Sequence, residues 1–198
     1  PVGDNLRQHL GCHVLVASDP AIAEVPSDAE PDCCQTGYLH LKTDQTLSPK
    51  VESFLAEGPP PVYFGFGSMS TRRQEDLVAL IQASIDISGQ RGIITGFRFD
   101  ASGFSDSKKW IFVREAPHLA LFKRVSAAVH HGGAGTTATA ALAGVPQIIV
   151  PQILDQFYWG ERVYRSGLGP RPVWRSRLTA ERLAVAIKEC AAEQKYSE

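Results

Sequence analysis

The stretch Ser126–Gln152, SAAVHHGGAGTTATAALAGVPQIIVPQ, decides the fold. SAAVHH (126–131) reads as a buried strand that runs straight into Gly132, Gly133 and Gly135. Thr136–Ala143 is a helix of small residues, and QIIVP (147–151) is a second apolar strand. Two apolar strands joined through a helix lie parallel and are covered on both faces.

The same alternation extends to both sides. VYFGF (62–66) reads as a strand, and a helix follows in which Leu77, Leu80, Ile81, Ser84 and Ile85 share one face. Thr71 and Gln74 form a candidate capping box at its start. GIITGF (92–97) and IFVRE (111–115) are further strands, the second followed by a short helix at His118–Lys123. Asp155–Ser166 reads as a helix stopped by Gly167, and Thr179–Glu193 as a last helix with Leu183, Ala186, Ile187 and Cys190 on one face. The pattern predicts an α/β fold, a Rossmann-like doubly wound parallel sheet. In such sheets ligands bind outside the carboxyl ends of the strands, so the loops after strands hold the candidate sites.

The N-terminal part differs. Asp19-Pro20, Pro26, Pro31 and Pro59-Pro60-Pro61 punctuate it, with HVLVAS (13–18) and CQTGYL (34–39) as candidate strands around a Pro- and acid-rich connection. We divide the chain into 1–45, the tail of a preceding domain with an interdomain linker, and 46–198, the Rossmann-like domain. The chain has 198 residues, net charge −1 and no initiator Met, and is expected to be a piece of a longer protein. A chain with no basic block is not expected to bind nucleic acid. No apolar run reaches the roughly 20 residues of a membrane span, and the N-terminus lacks the apolar core of a signal peptide. Cys12, Cys33, Cys34 and Cys190 form no CxxC pair, which favours reduced thiols in a cytoplasmic protein.

Four post-strand loops carry candidate chemistry. In 130–137 the first N–H groups of a helix point outward and, with the helix dipole, make an anion site. Gly132, Gly133 and Gly135 let a phosphate approach the main chain, Thr136 and Thr137 add hydroxyls, and a histidine adds an N–H donor. The order histidine, glycine, threonine at a strand-to-helix junction favours a phosphate site over a plain tight turn. It is neither a Walker A loop nor a GxGxxG fingerprint. Asp155 and Gln156 open the next helix, either as a reader of sugar hydroxyls or as an ordinary cap. Gly67 and Ser68 in GFGSMS (65–70) add main-chain donors or simply turn the chain. His118 in REAPHLALF (114–122) touches a ribose or base, or caps the helix it begins. Tyr158 and Trp159 are expected in the core.

These four loops in this order resemble the donor half of inverting glycosyltransferases of the GT-B fold, in particular the bacterial natural-product and sterol glucosyltransferases. The HHGGxGTT stretch stands at His130–Thr137. The Pro-x-x-x-Asp-Gln stretch stands at Pro151–Gln156 with Tyr158-Trp159-Gly160, and the GFGSM loop at Gly65–Met69. The resemblance implies a nucleotide-diphosphate sugar, UDP- or dTDP-hexose, as ligand, with no metal or other cofactor. His131, Thr136 and the glycine-loop amides would hold the pyrophosphate, with Ser68 approaching it. Asp155 and Gln156 would hold sugar hydroxyls, and the 114–118 loop would flank the base. His131 would stabilise the leaving phosphate, while His130 finishes the strand.

Two positions depart from plant relatives, which have a Trp where Glu115 stands and a ribose-binding Glu where Thr139 stands. The catalytic base of the family is a histidine early in an acceptor-binding domain, and His9, His13 and His40 lack its motif. The acceptor, a lipid, sterol or natural product, is therefore expected to meet that domain. This chain would bind donor and transfer little. The alternatives are a donor-binding subunit of a split transferase, a GT-B-like sugar-nucleotide epimerase, and a non-catalytic nucleotide-binding or oligomerisation module. The Asp155-Gln156 pair discriminates against the epimerase.

Overall fold

The computed structural model describes residues 14–29, 33–40, 45–66, 74–96, 106–192 and 196. They fall into two compact units, 1–44 and 45–198.

The first unit is small. Strands β1 (Val14–Val16) and β2 (Cys33–Gln35) pair in parallel, with the short helix α1 (Pro20–Ala23) between them. Gln35 ties it together: its Nε2 donates to the Ser18 and Ala23 carbonyls, and its Oε1 accepts from Val25 N–H. The strand expected over 34–39 is limited to Cys33–Gln35.

The second unit contains α2 (Pro49–Ala56), β3 (Val62–Gly65), α3 (Gln74–Ser88), β4 (Gly92–Thr95), β5 (Trp110–Val113), α4 (His118–Phe122), β6 (Ala127–His130), α5 (Ala134–Leu142), β7 (Gln147–Ile149), α6 (Gln156–Arg165) and α7 (Ala180–Ala192). Every strand pair is parallel, in the order β5-β4-β3-β6-β7. Alternate side chains explain the two helical layers. Val62, Phe64, Ile94 and Val129 pack with Leu77, Ile81 and Ile85 of α3 and Leu183 and Ile187 of α7. Tyr63, Ile93, Ile111 and Ala128 face the other way, onto Val51 and Phe54 of α2, Leu121 and Phe122 of α4 and Ala140 of α5. Both faces are buried, which is why the strands read as unbroken apolar runs.

The chain leaves β3 toward β4 on one side and later returns to β6 on the other. The β3–β6 seam is therefore the topological switch point, where a crevice opens at the carboxyl edge. Gly65 and His130 are register partners there. Gly167 ends α6 at φ +70, and the following segment covers the free edge of β7: Gln147 N donates to Leu168 O and Val173 N to Ile149 O. Among the described residues no helix is long and apolar enough to cross a membrane.

Candidate functional site

The site is built from His130 outward. This side chain closes β6 with no exposed surface. Its Nε2 lies 3.0 Å from Gln147 Oε1 on β7, and its Nδ1 accepts the Gly132 N–H at 3.1 Å. The proton is therefore on Nε2, donated to the glutamine carbonyl. Burial holds the imidazole neutral and pushes its pKa down to about 3; the Gln147 hydrogen bond opposes this, and nearby His131 and His118 add to it. Gln147 is a polar residue in an apolar strand, a signal that the sequence reading passed over.

The Gly132 N–H is thus turned inward onto His130 and is not a ligand donor, which corrects the expectation for that glycine. Gly132 has φ +88, and a Cβ there would lie 2.8 Å from Ile149 Cγ2 and 3.0 Å from the Gln156 carbonyl. Glycine is needed here for close packing of loop on strand and helix, rather than for clearance around a phosphate.

The next residue faces outward. His131 is half-buried, and its Nδ1 is enclosed with no hydrogen-bond partner among the described residues. Burial lowers its pKa, while the main chain of Gly65 and the carboxylate of Asp155 pull it up. A Cβ on Gly133 would stand 2.7 Å from His131 Nε2, so this glycine makes room for the ring.

Helix α5 begins at Ala134, two residues before the expected start, with Gly133 as N-cap and no side-chain capping bond. The first repeating bond runs from Thr137 N to Gly133 O at 2.9 Å. Ala134, Gly135 and Thr136 therefore occupy the first turn, where N–H groups have no intrahelical acceptor. Thr136 is partly exposed there, whereas Thr137 is buried.

One strand away, Asp155 precedes α6 but makes no capping bond; its Oδ2 instead accepts from Trp159 Nε1 at 3.0 Å. The carboxylate is exposed and close enough to His131 to act on it electrostatically. Gln156 departs from its expected role. It is 5% exposed, and its Oε1 accepts from the N–H groups of Gln152 at 2.8 Å and Ile153 at 3.2 Å. The amide carbonyl caps the turn that carries Asp155 and is not offered to a ligand. Leu154 in that turn has φ +50, a conformation that favours glycine. Tyr158 was expected in the core and is 51% exposed.

His118 opens α4 but does not cap it: Pro117 is the N-cap, without a side-chain bond. Its Nε2 lies 2.8 Å from the Tyr63 hydroxyl. Burial lowers its pKa and the charge of His131 adds to this, so the two imidazoles are neighbours. Gly67, Ser68, Met69 and Thr71 lie outside the described residues, and the Thr71–Gln74 capping box with them. His131, Asp155 and His118 thus share the edge at the switch point, with the first turn of α5 between β6 and β7. Among the described residues no group of three His, Cys, Asp or Glu side chains is placed to hold a metal ion.

The five-stranded doubly wound sheet is the fold found in solved glycosyltransferases of the GT-B class. Residues 110–198 match the family described as erythromycin biosynthesis protein CIII-like, C-terminal domain. It is 42% identical over 170 residues to the vancomycin aglycone glucosyltransferase of Amycolatopsis orientalis, covering 85% of this chain and 41% of that protein. It is 39% identical over 173 residues to a sterol 3-beta-glucosyltransferase of Arabidopsis thaliana, covering 85% and 28%. Among solved structures, the glycotransferase of kitacinnamycin matches with TM-score 0.74 at 22% identity, covering 95% of this chain and 48% of that one. The glycosyltransferase VinC in complex with dTDP matches with TM-score 0.71 at 25% identity, covering 92% and 45%. The chain spans less than half the length of each of these relatives.

Proposed function

We propose that the chain is the donor-binding half of an inverting glycosyltransferase that takes a UDP- or dTDP-hexose and, in the whole protein, passes the hexose to a hydroxyl of a lipid, sterol or natural product. The observation that carries this reading is His131: an enclosed Nδ1 with no hydrogen-bond partner among the described residues, beside the open first turn of α5, at the switch point. A diphosphate placed there receives main-chain N–H groups, the positive end of the helix and an imidazole N–H. The glucosyltransferase names of two relatives and the dTDP bound to VinC support the ligand class.

In the reaction an acceptor oxygen bonds to the anomeric carbon as the bond from that carbon to the β-phosphate oxygen breaks. The acceptor proton goes to a general base, which the resemblance places in an acceptor-binding domain. Charge grows on the leaving diphosphate, so donors fixed on it favour the transition state over the ground state. His131, Thr136 and the α5 amides take the role that a metal would otherwise have. Asp155 accepts from hydroxyls of the hexose. Gln156 positions Asp155 rather than touching sugar, which weakens the pair as evidence against an epimerase; product analysis separates the two. The enzyme works in the cytoplasm.

Asp155→Ala tests the sugar contact. It weakens binding of the sugar nucleotide more than binding of the bare nucleoside diphosphate, both read by calorimetry. Equal losses would reduce Asp155 to a local partner of Trp159.

A further inference from the structure

Tyr63 stands in the middle of β3 and is 2% exposed. Its hydroxyl sits between Thr95 Oγ1 on β4, at 2.9 Å, and His118 Nε2 on α4, at 2.8 Å. The His118 ring stacks on Phe122 with centroids 4.9 Å apart and planes 9° apart, and meets the Tyr63 ring edge-on. Packing on two sides fixes the imidazole plane, so the remaining freedom is the position of its proton.

Hydrogen-bond chemistry settles that position. A phenol is the strongest donor of the three groups, and a bare imidazole nitrogen is the strongest acceptor. The favoured chain runs from the Thr95 hydroxyl to the Tyr63 oxygen, and from the Tyr63 hydroxyl to His118 Nε2. Thr95 as donor fits the geometry, since its other acceptor, Phe64 O, is farther at 3.3 Å. A neutral imidazole that accepts at Nε2 carries its proton on Nδ1. Burial and the neighbouring His131 both favour the neutral form. His118 Nδ1 makes no hydrogen bond to the described residues, and it is not among the enclosed polar atoms that lack one.

We propose that Thr95 and Tyr63 are positioning residues that lock His118 in its Nδ1–H form, so that it presents one donor to an acceptor oxygen of the nucleoside half of the ligand. This rests on the donor-site reading. His131 serves the phosphates on the β6 side of the switch point, and His118 serves the nucleoside on the β4–β5 side. The acceptor oxygen belongs to a base carbonyl or to a ribose hydroxyl, and either suits an N–H donor. The lock has a purpose that a free imidazole would not meet. The tautomer with its proton on Nε2 would offer a lone pair instead and repel a carbonyl.

The tautomer is read in the free protein by two-bond nitrogen–proton correlation. Wild type shows Nδ1–H, and Tyr63→Phe shows a mixture. With whichever of UDP and dTDP binds, Tyr63→Phe weakens affinity several-fold. His118→Asn places an amide nitrogen where Nδ1 stood and retains most of the binding, whereas His118→Gln, which mimics Nε2, does not. An asparagine has no tautomer to lose, so Tyr63→Phe costs nothing further in the His118→Asn background. A wild-type Nε2–H signal overturns the lock. Equal losses from Tyr63→Phe in both backgrounds make Tyr63 merely structural and overturn it as well. Ribose 5-diphosphate locates the acceptor: a His118→Gln loss that persists points to the ribose, and one that vanishes points to the base. If wild type shows Nδ1–H yet binds neither nucleotide, the donor-site reading fails, and with it the ligand half of this proposal.

Discussion

His130 and His131 are adjacent in sequence and opposite in what surrounds them. His130 spends both nitrogens on the protein, one on Gln147 and one on Gly132, while the Nδ1 of His131 has no partner among the described residues. Two consequences follow at this scale. In the unfolded chain His130 takes up a proton near its ordinary 6.5, and in the fold only near 3. Between these values the unfolded state binds more protons, so stability falls as pH falls. The contribution is complete above the unfolded value and is lost at up to roughly 1.4 kcal/mol per pH unit on the way down. His118 and His131 shift in the same direction and steepen the loss. Urea midpoints at about pH 7.5 and about pH 5 should therefore drop further in wild type than in His130→Gln; equal drops would contradict this origin. The second concerns Gly133, whose missing Cβ leaves space for His131 Nε2. Gly133→Ala should tilt that ring and weaken nucleoside diphosphate binding, with the melting temperature little changed. Unaltered affinity would separate the ring from the ligand. The contrast between the two histidines was legible only in outline, because their roles depend on Gln147 and Gly133, and a linear pattern does not show which side chain a ring will meet.

At the scale of elements, α5 and α6 carry the site by their N-termini. The small residues of 134–142 marked α5 in the sequence, but its start was misplaced by two residues. Glycines signal a loop, and here the helix begins inside them because Gly133 accepts the cap position without a side chain. The turn before α6 was misread for a related reason. Asp155-Gln156 reads as a pair of ligand-facing polar groups, yet Gln156 is buried and closes the turn through Gln152 and Ile153. Buried main-chain N–H groups must find acceptors, and the nearest was this amide. Tyr158, by contrast, lies on the exposed side of the same helix, although an aromatic residue is more often interior.

At the scale of the whole molecule, the parallel sheet was legible because its strands are buried on both faces and so read as apolar runs separated by helical periodicity. The strand order was not, since periodicity says nothing about which neighbours pair; it follows from β3 lying centrally with crossovers to both sides. The chain spans less than half the length of these relatives, and in the proposed reaction the general base belongs to an acceptor-binding domain. This chain alone, given UDP- or dTDP-hexose and a sterol or glycopeptide aglycone, should produce no glycoside detectable by mass spectrometry; sustained turnover would overturn that division of labour. The central claim is that the edge around His131 holds a nucleoside diphosphate. Calorimetric titration of UDP and dTDP into wild type and His131→Ala tests it most directly. At least one nucleotide binds wild type, and the substitution weakens it by on the order of tenfold or more, the loss of a hydrogen bond to a charged group. Binding of neither nucleotide, or equal affinity in both proteins, would contradict the claim.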